Sequence, residues 1–176
     1  ALRYNMNLTV ILHDNHVYGL TKKQASPTSP VGFKSNTTPR GSVLLPLNPL
    51  TVTLGVENVS FVAQAVDWMP ELMYDIVSRA FHHRGFSFIR VIQRCPEFLP
   101  KMFEPWLHDP NKTLLLTHEN GLQPSPDMSR IYKNQRAHDP LDIHRAREIA
   151  SSEDPIPVGI LYQNPEVPCY EDLRGA

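Results

Sequence analysis

Chemistry in this chain collects where apolar runs end. Asp14-Asn15 follows Leu8-Thr9-Val10-Ile11-Leu12, a run β-branched enough for a buried strand. The pair opens into His16-Val17-Tyr18-Gly19-Leu20-Thr21-Lys22. Parallel α/β sheets gather their ligands outside the carboxyl ends of strands, where loops aim side chains and carbonyls at one point. Taken alone, Asp14-Asn15 also reads as a turn in which Asx side chains bond their own backbone, and Lys22 as a solvated charge. Cys95 follows a second apolar run, 86–92, in the string Gln93-Arg94-Cys95-Pro96. A single cysteine is most often a small buried hydrophobe. The eight histidines do not read as a metal site. No H-E-x-x-H or C-x-x-C occurs, and His138 and His144 are spaced by six, off the i, i+4 geometry. His13 and His16 flank the Asp-Asn turn, and their types do not choose between ligand contact and a surface position.

The elements that position these groups are legible in the middle of the chain. Residues 60–66 read as a strand. From Pro70 to His83, Leu72, Met73, Ile76, Val77 and Ala80 fall at helical spacing, with Gly85 as the expected C-terminal cap. Residues 86–92 alternate like a strand, so strand, helix and strand predict a right-handed parallel crossover. The stretch from Ser26 to Gly41 is rich in Pro, Ser and Thr and would be a linker by composition alone. Beyond Pro96, Trp106, Leu107 and Leu114-Leu115-Leu116 stand as isolated apolar patches, and a helix over about 142–151 is the one clear element.

Composition bounds the rest. A chain of 176 residues that is 41% hydrophobic holds one core. A net charge of −1 gives no reason to expect nucleic acid. No apolar run approaches the roughly 20 residues needed to cross a membrane. No secretory signal opens the chain, so the four Asn-x-Ser/Thr sequons (Asn7, Asn36, Asn58, Asn111) are taken as chance. A cytoplasmic location follows, in which Cys95 and Cys169 are not expected to form a disulfide.

The string from His13 to Pro30, HDNHVYGLTKKQASPTSP, resembles the thiamine-diphosphate loop of the β subunit of 2-oxoacid:ferredoxin oxidoreductases, D-N-x-x-Y-G-L-T-K-G-Q-x-S-P-T-S. The likeness continues through F-V-A-x-x-x-D at Phe61, H-x-G-F at His83, C-P-x-F at Cys95, H-D-P at His138 and P-V-G-I-L-Y at Pro157. It covers nearly the whole chain but only the family's C-terminal half. It implies the C-terminal half of a thiamine-diphosphate-binding α/β fold, with a parallel sheet flanked by helices and an irregular C-terminal arm. Residues 1–95 would be the partial cofactor domain, and 96–176 an extension packing on that domain or on a partner subunit.

The same resemblance assigns roles. Asn15 and the carbonyl of Val17 would be Mg²⁺ ligands, because Mg²⁺ prefers oxygen donors in near-octahedral geometry. The family's third ligand, the Asp of a Gly-Asp-Gly motif, is absent from the chain. Tyr18, Gly19 and Thr21 complete the cofactor-binding set. Leu20-Thr21-Lys22 matches the family's Leu-x-Lys triplet, where the ammonium pairs with the distal carboxylate of the 2-oxoacid. That tilts the substrate toward 2-oxoglutarate or a broad range of 2-oxoacids. Cys95 would be the fourth thiolate of a [4Fe–4S] cluster whose other three ligands this chain lacks. Lys23 departs from the family's frequent Gly, at a cost on the order of 1 kcal/mol if the position needs a positive φ. The implied reaction is thiamine-dependent oxidative decarboxylation to an acyl-CoA, with an α subunit, ferredoxin and coenzyme A as partners. A catalytically inert interaction domain and a cluster-free thiamine-diphosphate decarboxylase or synthase are the alternatives, and the chain by itself is expected to be inactive.

Overall fold

A computed structural model describes residues 1–152 and 154–175. The described residues form one six-stranded sheet: β1 (Leu8–Asp14), β2 (Phe61–Val66), β3 (Phe86–Ile92), β4 (Thr113–Thr117), β5 (Gln135–Ala137) and β6 (Ile156–Gln163), in the order β1-β3-β2-β6-β4-β5. β1, β3 and β2 are mutually parallel, as are β6, β4 and β5. The two blocks meet antiparallel at β2 and β6.

Alternation along the strands builds two cores. Phe61, Ala63, Ala65, Ile89, Val91, Val158 and Ile160 pack with Leu72, Ile76 and Ala80 of helix α2 (Pro70–His82). Val62, Leu114, Leu116 and Leu161 pack with helices α1 (Pro49–Leu54) and α5 (Ile143–Ala150) on the other face. The short helices α3 (Glu104–His108), α4 (Pro126–Ile131) and α6 (Tyr170–Leu173) lie in the second half. Asn48 caps α1: its Oδ1 accepts from the Leu50 and Thr51 amides at 3.0 and 3.3 Å, and its Nδ2 donates to the Ala150 carbonyl at 2.7 Å. One side chain thus starts α1 and ties it to α5.

Four expectations are corrected. The arm after residue 96 is not irregular, since it supplies β4, β5 and β6, with β6 at the centre of the sheet. Leu114-Leu115-Leu116, expected as an isolated patch, is the interior of β4 and is buried throughout. β1 is not a buried strand. Among the described residues it pairs only with β3, leaving Leu8 46% and Ile11 41% exposed. Gly85 also differs in role: α2 ends at His82 with His83 as its cap. Gly85 instead takes φ +130 beside Asn5, whose Oδ1 would lie 2.6 Å from an added Cβ. Asn5 needs that space because its Oδ1 accepts from Phe86 N at 2.7 Å and from the Ser60 hydroxyl at 2.6 Å.

Candidate functional site

The loop from Asp14 to Ser29 folds around a single carboxylate. Asp14 is 4% exposed. Its Oδ1 accepts from the Thr28 hydroxyl at 2.6 Å and from the His16 amide at 3.2 Å. Its Oδ2 accepts from Arg90 Nε at 2.9 Å and lies 2.8 Å from Arg90 Nη2. Burial pushes the Asp14 carboxyl up. The Arg90 guanidinium, the Thr28 hydroxyl and His16 outweigh it and hold the group below the ordinary carboxylate range. The Ser29 hydroxyl donates to the His16 carbonyl at 2.6 Å, and Ser29 Oγ accepts from the Ser26 amide at 2.9 Å. The Pro-Ser-Thr stretch is therefore an ordered loop and not a linker.

Asn15 turns back on itself. Its Oδ1 accepts from the Val17 amide at 3.1 Å, the Asx turn that its type allows. His16 is left-handed, with φ 63, and is buried with its ring edge-on to Phe103 at 5.1 Å. Val17 is buried in a small cluster with Phe33 and Cys95. Tyr18 is half exposed and bridges to Gln24. Beyond it the turn projects outward: Leu20 is 99% exposed, and Lys22 and Lys23 both sit at φ 67. Gly19 is not in the left-handed region and an added Cβ there meets nothing, so the turn's strain falls on the two lysines.

A cavity of about 380 Å³ opens beside this loop, lined by Asp14, Asn15, Val17 and Tyr18, by Ser26-Pro27-Thr28, and by the apolar side chains of Leu12, Leu47, Val52 and Phe88. That volume and its apolar wall with a few polar groups are typical of a small-molecule site. Of the expected site residues, the structure brings Asn15, Val17 and Tyr18 together here and places Cys95 in a cluster with Val17, outside the cavity lining. Gly19, Leu20, Thr21 and Lys22 do not line the cavity. Arg90, Gln64 and Thr28 had no assigned role in the sequence, yet they hold the loop. The available signal was a charged residue inside the apolar strand Phe86–Ile92, which demands a buried partner.

The described residues form an α/β domain with a cavity beside the loop that follows β1. The family model described as thiamine pyrophosphate enzyme, C-terminal TPP binding domain, matches residues 1–91. A second, for the C terminal of the pyruvate ferredoxin oxidoreductase beta subunit, matches residues 128–175. The chain is 32% identical over 177 residues to a 2-oxoacid:ferredoxin oxidoreductase subunit beta from Sulfolobus sp, covering 98% of this chain and 53% of that protein. It is 41% identical over 104 residues to the 2-oxoglutarate oxidoreductase subunit KorB of Mycobacterium tuberculosis, covering 59% of this chain and 28% of that one. Among solved structures, the 2-oxoglutarate:ferredoxin oxidoreductase from Magnetococcus marinus, with 2-oxoglutarate, coenzyme A and succinyl-CoA bound, superposes with a TM-score of 0.78 at 30% identity, over 99% of this chain and 53% of that one.

The chain belongs to the thiamine pyrophosphate enzyme family, in the line of the 2-oxoacid:ferredoxin oxidoreductase β subunits. It spans about half the length, or less, of the curated relatives it matches. No helix among the described residues is long and apolar enough to cross a membrane.

Proposed function

We propose that this chain is the cofactor-holding part of a 2-oxoacid:ferredoxin oxidoreductase β subunit, and that the complete enzyme oxidatively decarboxylates 2-oxoglutarate to succinyl-CoA. The observation that carries the reading is the closure of the Asp14–Ser29 loop around Asp14, which leaves Asn15 and Val17 on the cavity wall. Asn15 Oδ1 and the Val17 carbonyl are hard oxygens of one turn, the donor type that Mg²⁺ prefers. These two would hold the ion against the cofactor's diphosphate, with Tyr18, Gly19 and Thr21 completing the cofactor's surroundings. Bound thiamine diphosphate supplies the nucleophile and electron sink of the reaction.

The chain's own residues orient and enclose. Leu12, Val52 and Phe88 give the cavity an apolar wall. Leu20 and Lys22, outside that cavity, form with neighbouring polypeptide the part of the site that senses the distal carboxylate of the 2-oxoacid. Cys95 supplies one thiolate. Two cysteines do not make the four that a [4Fe–4S] cluster needs, so its other ligands lie outside this chain. Both cysteines are free thiols. Val43, Leu44 and Leu45 are 85%, 76% and 85% exposed on the way to α1, an apolar stretch suited to an α subunit or to further polypeptide of the β subunit. Residues 96–176 pack on the cofactor half within this reading. Ferredoxin and coenzyme A are the electron and acyl acceptors.

The test is the assembled enzyme containing this chain, assayed for coenzyme A-dependent oxidation of 2-oxoglutarate with ferredoxin. Activity is expected to vanish on removal of Mg²⁺ and thiamine diphosphate and to return when both are restored. Oxidation of no 2-oxoacid overturns the reading, and a preference for pyruvate overturns the role assigned to Lys22.

A further inference from the structure

We propose that Arg90 is a positioning residue for the Asn15–Val17 turn, tying it through Asp14 and Gln64 to the junction of β2 with β6. The inference rests on the cofactor reading of that turn and adds residues to it. Arg90 is 2% exposed at the centre of β3, opposite Leu12 of β1 on one side and Gln64 of β2 on the other. Its guanidinium spans both neighbours. Nε and Nη2 contact Asp14 Oδ2, Nη1 donates to Gln64 Oε1 at 3.3 Å, and Nη2 lies 3.4 Å from His16 Nε2. Gln64, 1% exposed, passes the connection on, donating from Nε2 to the Pro157 carbonyl at 2.7 Å. A polar path thus runs across the sheet from the cofactor turn to the first residues of β6.

Sheet stability alone does not account for this arrangement. Burying two charges is costly, and well-packed apolar residues in place of a buried ion pair are often as stable. What apolar residues cannot do is hold a backbone in an unfavoured state. His16 occupies the left-handed region, which non-glycine residues adopt only when surroundings over-determine them. Asp14 supplies that determination by taking the His16 amide and the Thr28 hydroxyl on Oδ1, and it can do so only while its other oxygen is held. Arg90 holds it. Planar and multidentate, the guanidinium reaches Asp14 and Gln64 together, which a single ammonium does not.

The test uses two variants that retain a side chain of similar size, Arg90→Lys and Gln64→Leu. In the assembled enzyme stripped of cofactor, amide hydrogen exchange is read at His16 and Val17. Exchange at both amides is expected to quicken at least tenfold in Arg90→Lys and several-fold in Gln64→Leu, while amides of β4 keep their rates. In the assembled enzyme, the dissociation constant for thiamine diphosphate at saturating Mg²⁺ is expected to rise at least threefold in each variant, a larger change than that in kcat at saturating cofactor. Uniformly faster exchange, unchanged exchange at the two amides, or unchanged cofactor affinity overturns the proposal. Should the unsubstituted enzyme bind no thiamine diphosphate, the function proposed above fails instead, and the exchange result alone decides the role of Arg90.

Discussion

Cys95, just past the end of β3, and Val17, in the loop after β1, are buried in one small cluster with Phe33. Cys95 is 7% exposed and its backbone bridges to Leu99, so the thiol sits in a short ordered turn. A cluster ligated there would lie directly beside the Asn15–Val17 turn. Changing Cys95 to Ser in the complete enzyme is expected to lower iron content and the broad visible absorption and to cut ferredoxin reduction steeply, because serine is a poorer ligand for iron. Decarboxylation of bound 2-oxoacid is expected to persist. Wild-type levels of all three readouts would reduce Cys95 to a buried thiol.

Asn15 supplies an oxygen on the cavity wall and also closes its own turn onto the Val17 amide. Asn15→Leu removes both and is expected to raise the Mg²⁺ and thiamine-diphosphate requirement at least tenfold, about 1.4 kcal/mol. Asn15→Asp keeps an oxygen for each purpose and is expected to stay within threefold. Cofactor titrations of the assembled enzyme check both, and equal behaviour of the two variants would defeat the assignment.

Lys23 takes φ 67 where the family's frequent residue is glycine. A left-handed lysine costs about 1–2 kcal/mol, against about 0.4–1 kcal/mol for the extra freedom glycine has when unfolded. Lys23→Gly is therefore expected to stabilise the chain by roughly 0.5–1 kcal/mol, raising Tm by about 1–4 °C. Gly19 is the control: it is not left-handed and has open space around it, so Gly19→Ala is neutral or slightly stabilising. A lower Tm for Lys23→Gly would show that the lysine makes up its strain elsewhere.

His83 and His118 are 7% and 6% exposed, and burial holds both below the ordinary imidazole value of 6.5. The unfolded chain thus takes up protons first as pH falls. Stability from these two groups is complete above about pH 6.5 and is lost as pH drops below it, by up to about 1.4 kcal/mol per pH unit for each. The urea midpoint is expected to fall clearly between about pH 7.5 and 5.5, and less so in His83→Gln, which keeps a partner for the Ser60 hydroxyl. A midpoint independent of pH over that range contradicts this sign.

Local pattern was enough for β1, β2, α2 and β3, because alternation and helical spacing report which faces are apolar. It was also enough to place Asn15 and Cys95 at strand ends. It did not report how many neighbours a strand has. The apolar run of β1 reads the same at an edge as in the interior, and Leu114-Leu115-Leu116 looks like a patch until β6 supplies its partner. The β6 strand itself pairs with β2 across most of the chain's length, a contact that nothing local encodes.

Residue type and order by themselves determined that a turn rich in oxygen donors follows β1 and that a thiol follows β3. Tertiary structure decided what those groups meet. The Arg90–Asp14 pair, the closure of Thr28 and Ser29 onto the turn, and the outward face of Leu20 and Lys22 all depend on which strands lie side by side. The physical reason is range: propensity and periodicity act over a few residues, whereas a buried charge is satisfied only by a partner brought from a distant strand.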